Sequence, residues 1–177
     1  MLIRPGISFV AALWAIVLVT PVCAEEGNSD DAFSRLTIAI PFFSRHFPND
    51  REFNDHNWGG VLFYALGDHV SLAAGDFINS YRRNTAIAGV SLTPWTFALA
   101  GLQVSPGLLA GFDLNGGYRG YDPVSPFLAA GTISIGSARS GAPDAPFLDR
   151  LGLMITVIPG FGGGRSNAVN LALTVRL

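Results

Sequence analysis

Chemistry in this chain has few places to sit. Polar side chains gather in residues 44–57, where Ser44, Arg45, His46, Asn49, Asp50, Arg51, Glu52, Asn54, Asp55, His56 and Asn57 fall together. They gather again in the run Asn79-Ser80-Tyr81-Arg82-Arg83-Asn84. A histidine and a serine on one rim could act as general base and nucleophile, or the histidine could activate a substrate hydroxyl directly. Imidazole suits either role because it titrates near neutrality. Arg82 and Arg83 offer forked donors of the kind that hold lipid phosphates. The plain readings stand beside these: a lone loop histidine is usually solvated, and a charged loop is usually just a hydrated one.

Other chemistries are poorly served. His46, Asp50, Asp55 and His56 match no compact metal-ligand spacing, such as two histidines four apart on a helix, so neither a metal nor another cofactor is expected. Gly162-Gly163-Gly164 lacks the Lys-Ser/Thr that follows in a phosphate loop and reads as a flexible outer loop. All eleven basic residues are arginine, in no run, and the net charge is −2. Nucleic-acid binding needs clustered positive charge and is not expected.

The chain has 177 residues, 49% of them hydrophobic and only 14% charged, with 21 glycines. That suits one domain, is too apolar for disorder and is too glycine-rich for a helical bundle. Residues 1–24 read as an export signal: Arg4, an apolar run from Ile7 to Thr20, then Val22-Cys23-Ala24 before Glu25-Glu26. The run is shorter than a bilayer span requires, and Val22 fits a lipid anchor on Cys23 poorly. The remaining 25–177 form one domain without cysteine, which fits a bacterial envelope protein rather than a disulfide-stapled secreted one.

The elements that must position these residues show period two. Val169, Leu171, Leu173, Val175 and Leu177 alternate with Ala168, Asn170, Ala172, Thr174 and Arg176, one apolar face against one small or polar face. Leu36, Ile38, Ile40 and Phe42 alternate likewise with Thr37, Ala39 and Pro41, and further segments follow suit. Eight strands are expected, at about 35–44, 57–66, 69–80, 84–94, 97–112, 122–136, 150–159 and 168–177, near the 9–11 residues of a tilted membrane strand. Their length and even number, with an export signal, predict an all-β fold, an eight-stranded antiparallel up-and-down transmembrane β-barrel. Alternate connections then share a rim. His46, in the first connection, and Ser80, at the edge of the third, lie at the same, outward-facing end. A soluble lipocalin-like barrel or a β-sandwich is the alternative, and the last residue, Leu177, lacks the aromatic ring with which many outer-membrane barrels end.

Phe53-Asn54-Asp55-His56-Asn57-Trp58-Gly59-Gly60, Phe77-Ile78-Asn79-Ser80-Tyr81, Ile87-Ala88-Gly89 and Ile158-Pro159-Gly160 give a chain that resembles the outer-membrane lipid A palmitoyltransferase family. The resemblance covers about residues 36–177, with its specific motifs mostly in 46–91. It implies an eight-stranded barrel that encloses an acyl chain. On it, His46 matches the family's catalytic histidine and Ser80 its serine. Asn79 stands where the family has aspartate and cannot carry the charge that would stabilise an imidazolium. Asp50 or Asp55 would have to assist, or activity is lost. Family prolines interrupt barrel pairing and admit lipid sideways; Pro123, Pro126 and Pro159 are candidates here. Ser91 looks like the position that sets the pocket floor, where a larger residue than the family's glycine implies a shorter chain. The helix that precedes the family's barrel has little room in Glu25 to Ser34.

Three functions follow as expectations. The first is an outer-membrane acyltransferase that moves a fatty acyl chain from a phospholipid to lipid A or a related envelope lipid. It would work as a monomer, with His46, Ser80 and Asn79 at the reaction and Tyr81, Arg82, Arg83 and Ser91 on the substrate. The second is a non-catalytic outer-membrane barrel that binds lipid or supports the envelope, which Asn79 favours. The third, a lipid A deacylase, resembles a family with a C-terminal His-x-Ser pair, and no histidine follows His69.

Overall fold

A computed structural model describes residues 29–47, 53–119, 126–140, 142, 144–160 and 167–177. The expected export signal, Cys23, Asp50, Pro123 and the glycine run lie outside these residues.

A six-residue helix, α1 (Ser29–Ser34), leads into nine strands: β1 (Leu36–Phe47), β2 (Gly59–Ala65), β3 (Val70–Ile78), β4 (Asn84–Leu92), β5 (Phe97–Leu99), β6 (Leu102–Asp113), β7 (Phe127–Ser137), β8 (Leu151–Ile158) and β9 (Asn167–Arg176). Neighbours pair antiparallel, β9 closes onto β1, and β4 pairs with β6. The result is a closed eight-stranded barrel, because β5 is a continuation of β4. Leu92 pairs with Leu108 and Phe97 with Val104, so four residues on one strand oppose three on the other. The segment 97–112 is therefore two strands rather than the one expected. They are joined at Ala100 (φ 49°) and Gly101 (φ 81°), a two-residue turn with both centres at positive φ, whose twist suits a hairpin.

The barrel is turned out relative to a water-soluble one. On β9, Ala168 and Ala172 are buried inside while Leu173 is exposed. Ile40, Phe42, Leu72, Val90, Leu92, Leu108, Ile133 and Val157 also lie exposed on the wall. Rings flank this aliphatic belt at both ends: Phe47, Trp58, Phe112 and Phe127 at one, Phe33, Trp95, Phe97 and Phe147 at the other. An apolar surface on this scale is a liability in water and the requirement in lipid. Inside, a large ring is set against small residues on the strands beside it. In one row across four strands, Phe63 pairs with Ala73, Ala73 with Gly89 and Gly89 with Gly111.

The connections fall at two ends as alternation predicts. One carries 66–69, the Ala100-Gly101 turn and 138–140 with 144–150; the Pro94-Trp95 corner expected as a connection is instead part of the bulge within the β4–β5 strand. The other, called the upper rim here, carries 53–58, 79–83 and 114–119.

Candidate functional site

Alternation alone would put Ser44 and His46 on the wrong face. They share even parity with Leu36, Ile38, Ile40 and Phe42, which face outward. The β1–β9 register shifts between Pro41 and Phe43: Pro41 opposes Ala172, Phe43 opposes Leu171, and Phe42 has no partner. This is a bulge, and one extra residue reverses the facing of everything beyond it. Pro41 cannot donate to a ladder, so the break falls where a hydrogen bond is already missing. Beyond it Ser44 and His46 turn inward, 1% and 5% exposed, while Arg45 and Phe47 turn out. His46 thus sits within β1 and not in the first connection, because pairing with β9 runs on through His46↔Ala168 to Phe47↔Asn167.

The segment 53–58 folds over the upper rim. Ser44 N–H donates to Asp55 O (2.8 Å), Asn54 N–H to Ser80 O (2.8 Å), and Ile78 N–H to Trp58 O (2.8 Å). The Ser44 hydroxyl lies 3.2 Å from Asn54 O and 3.3 Å from Asn57 Oδ1. These contacts stitch β1 to the β3–β4 turn and put Phe53 flat against the His46 imidazole, centroids 3.9 Å apart and planes 12° off parallel. Phe53 meets Tyr81 edge-on at 5.7 Å, and Tyr81 meets Tyr118 edge-on at 6.2 Å. An aromatic arch therefore crosses the mouth, each pair worth about 0.5–1.5 kcal/mol beyond its burial. His46 Nδ1 is buried and has no hydrogen-bond partner among the described residues.

Asn79 is the reverse case. Fully buried, it donates to Thr85 Oγ1 (2.9 Å) and to Gly117 O (3.0 Å), and accepts from the N–H groups of Tyr81 (2.9 Å) and Arg83 (3.1 Å). An aspartate could not make the two donations. Asparagine here shapes the turn and ties it to the β6–β7 connection. Asp113 holds the other side of that tie, accepting from Gly117 N–H (3.0 Å) and Tyr118 N–H (2.7 Å). Gly117 must be glycine, since a Cβ would stand 2.2 Å from Thr85 Oγ1.

Below the arch lies a cavity with about 970 Å³ of empty space, part of it open to solvent. Its walls are apolar: Ala39, Pro41, Val61, Phe63, Phe77, Ile87, Leu109, Leu128, Met154 and Ala172. Its collar is polar: Ser44, Asn57, Ser80, Tyr118 and Asn170. The wall has two seams. The β1–β2 ladder ends at Ala39↔Val61, below Pro41, and the β7–β8 ladder ends at Gly131↔Val157, below Pro159. β2 and β8 are the shortest strands of the closed ring, at 7 and 8 residues, and the cavity reaches both seams through Pro41 on one side and Ala129, Ala130 and Ile158 on the other.

Of the residues singled out from sequence, Ser80 is buried at the cavity's collar and Tyr81 stands in the arch. His46 lies at the same rim behind Phe53 and does not itself line the cavity. Arg82 and Arg83 are exposed on the turn. Arg82 holds φ 58°, a strained conformation for a side-chain-bearing residue that costs about 1–3 kcal/mol. Ser91 faces inward near the lower end of β4, four residues below Ile87, which lines the cavity. Asp55 pairs with Arg45 at 3.9 Å on the outer side. Pro126 lies in a turn before β7. Sequence reasoning passed over Pro41 and over the roles of Asn57, Asp113 and Asn170. Only the proline carried a local signal, a residue unable to pair in the middle of a strand.

Two solved structures are similar in outline. A de novo designed transmembrane β-barrel matches with a TM-score of 0.46 and 14% identity, over 81% of this chain and 96% of that one. The N-terminal β-barrel domain of Pseudomonas aeruginosa OprF matches with a TM-score of 0.39 and 15% identity, over 80% and 96%. No family model and no curated protein matches the chain.

Proposed function

We propose that this protein is a barrel of the bacterial outer membrane that takes one hydrocarbon chain of a membrane lipid into its upper half. The outward aliphatic belt between two aromatic girdles supports the location. The observation that carries the function is the apolar cavity under a polar collar. A lipid chain matches the walls, and its ester or head group matches the collar. The seams at Pro41 and Pro159 give such a chain a sideways route from the bilayer. The test is to purify the protein from outer membranes, wash it in detergent and identify retained lipid by mass spectrometry. One lipid per barrel is expected, and Ala172→Phe, which fills the cavity, should abolish it. Equal retention by the filled variant would overturn the reading.

A second reading, acyl transfer, is favoured by the buried, unpartnered Nδ1 of His46. In it the imidazole takes the proton of an acceptor hydroxyl on lipid A or a related lipid. The acceptor oxygen attacks the ester carbonyl of a phospholipid, the bond to the glycerol oxygen breaks, and the lysophospholipid leaves with the proton. Ser80, at the collar, orients the donor ester, while Asn79 acts only through the turn it holds. Lipid A from a host lacking its own acyltransferase should gain one acyl mass when this protein is expressed, and His46→Ala should remove the gain. An unchanged lipid A mass with correctly folded protein would leave the first reading alone standing.

A further inference from the structure

The sequence offers Arg82 and Arg83 to the substrate of an acyltransferase; in the fold they join Arg119 in a basic corner of the upper rim, on the outside of the barrel and away from the cavity. Arg82 and Arg83 lie on the β3–β4 turn, and Arg119 follows β6 on the next connection around the barrel. Arg83 Nη1 donates to Arg119 O at 3.2 Å, so one edge of the Arg83 guanidinium is fastened to the backbone that carries Arg119. The corner is built from beneath. Asn79 grips Tyr81 N–H and Arg83 N–H on one side and Gly117 O on the other, and Asp113 grips Gly117 and Tyr118. Among the described residues, Asp113 is engaged by those backbone groups and Asp76 by the Asn84 side chain. Below the corner, outside the barrel, the wall offers the Phe112–Phe127 ring pair (5.2 Å) and the small residues Ala86, Ala88 and Ala110.

A ligand for this place needs an anionic head at the height of the arginines and an apolar body lying down the wall. We propose that the corner of Arg82, Arg83 and Arg119 binds, on the outside of the barrel, the phosphate of an outer-leaflet glycolipid whose chains pack against Phe112 and Phe127. Guanidinium matches phosphate with paired, charge-assisted hydrogen bonds that an ammonium cannot reproduce. The lipid-facing rings below favour a membrane lipid over a free ion. The position, one strand away from the β7–β8 seam, puts a bound head group beside the route into the cavity. The proposal does not depend on the cavity being occupied.

The test uses the full-length barrel in detergent micelles and three probes: bisphosphorylated lipid A, the same lipid enzymatically dephosphorylated, and inorganic phosphate as competitor. Binding of bisphosphorylated lipid A should exceed that of the dephosphorylated form by roughly tenfold or more, the size expected for hydrogen bonds to charged groups. Arg82→Gln with Arg119→Gln should remove that preference, while heat-modifiable gel mobility reports a folded barrel. If the double variant does not fold, the exposed Arg82→Gln alone should still weaken binding several-fold. Ala172→Phe should leave the preference intact, which separates this site from the cavity. Equal binding of the two lipids, an undiminished preference in the arginine variants, or loss of binding on filling the cavity would each overturn the proposal. Displacement of the lipid by millimolar inorganic phosphate would overturn it too, by showing a free-ion site.

Discussion

Two buried polar side chains share the upper rim and are treated in opposite ways. Asn79 makes four hydrogen bonds, every one to a group that shapes the rim. His46 is nearly as buried, yet its Nδ1 makes none among the described residues. An asparagine whose donors and acceptors are all used is a structural part, and replacing it exposes several partners at once. A buried nitrogen without a partner costs stability and persists where something besides stability keeps it. On this contrast, Asn79 belongs to the scaffold, and His46 is the group to which the acyl-transfer proposal assigns a proton.

The contrast can be pressed by substitution, with stability read from urea unfolding of the barrel in micelles. Asn79→Ala should cost most, about 4 kcal/mol, because it strands the Gly117 carbonyl and the Thr85 hydroxyl in a buried site. Asn79→Asp, which restores the residue expected of the resembled family, should still cost about 2 kcal/mol, since its carboxylate faces the Gly117 carbonyl without a donor. A gain of activity with no loss of stability would break the assignment. Ser44→Ala should cost about 1 kcal/mol, for one hydroxyl that bonds to Asn54 and faces Asn57. His46→Phe should go the other way, by a gain of about 0.5–1 kcal/mol. It keeps the stacking on Phe53 and removes the orphaned nitrogen. A large loss on that substitution would mean that the imidazole is also scaffold.

Much of the fold is legible in the sequence, for physical reasons. Where both faces of a strand have different solvents, alternation must be strict, and β9 displays it without interruption. The expected strands match the observed ones wherever that holds. It fails at Ala100-Gly101, because a turn at positive φ is usually signalled by Asn-Gly or Asp-Gly and alanine gives no warning. It also fails at Phe42. The residues there remain apolar on both sides, so the extra one is invisible until the partner strand fixes the register. The site is legible only in part. His46 and Ser80 share a rim, as strand counting requires. The identity of the cavity's collar is not local information: Asn57, Ser80, Tyr118 and Asn170 come from four separate stretches and meet only in the closed barrel. Asn79 looks like a damaged catalytic residue when its neighbours in sequence are its only context, and like a keystone when Gly117 is in view.

Phe42 is a single surplus residue, and the orientation of the lip of this vessel hangs on it. Were the strand to run on without its bulge, every residue kept and each one beyond Pro41 pairing one place along, Arg45 and Phe47 would swing into the lumen and Ser44 and His46 would be offered to the hydrocarbon. A charged stopper would then take the place of a receptive mouth. The chemical character of the opening is thus written less in which amino acids it contains than in where one strand slips a single place against its neighbour.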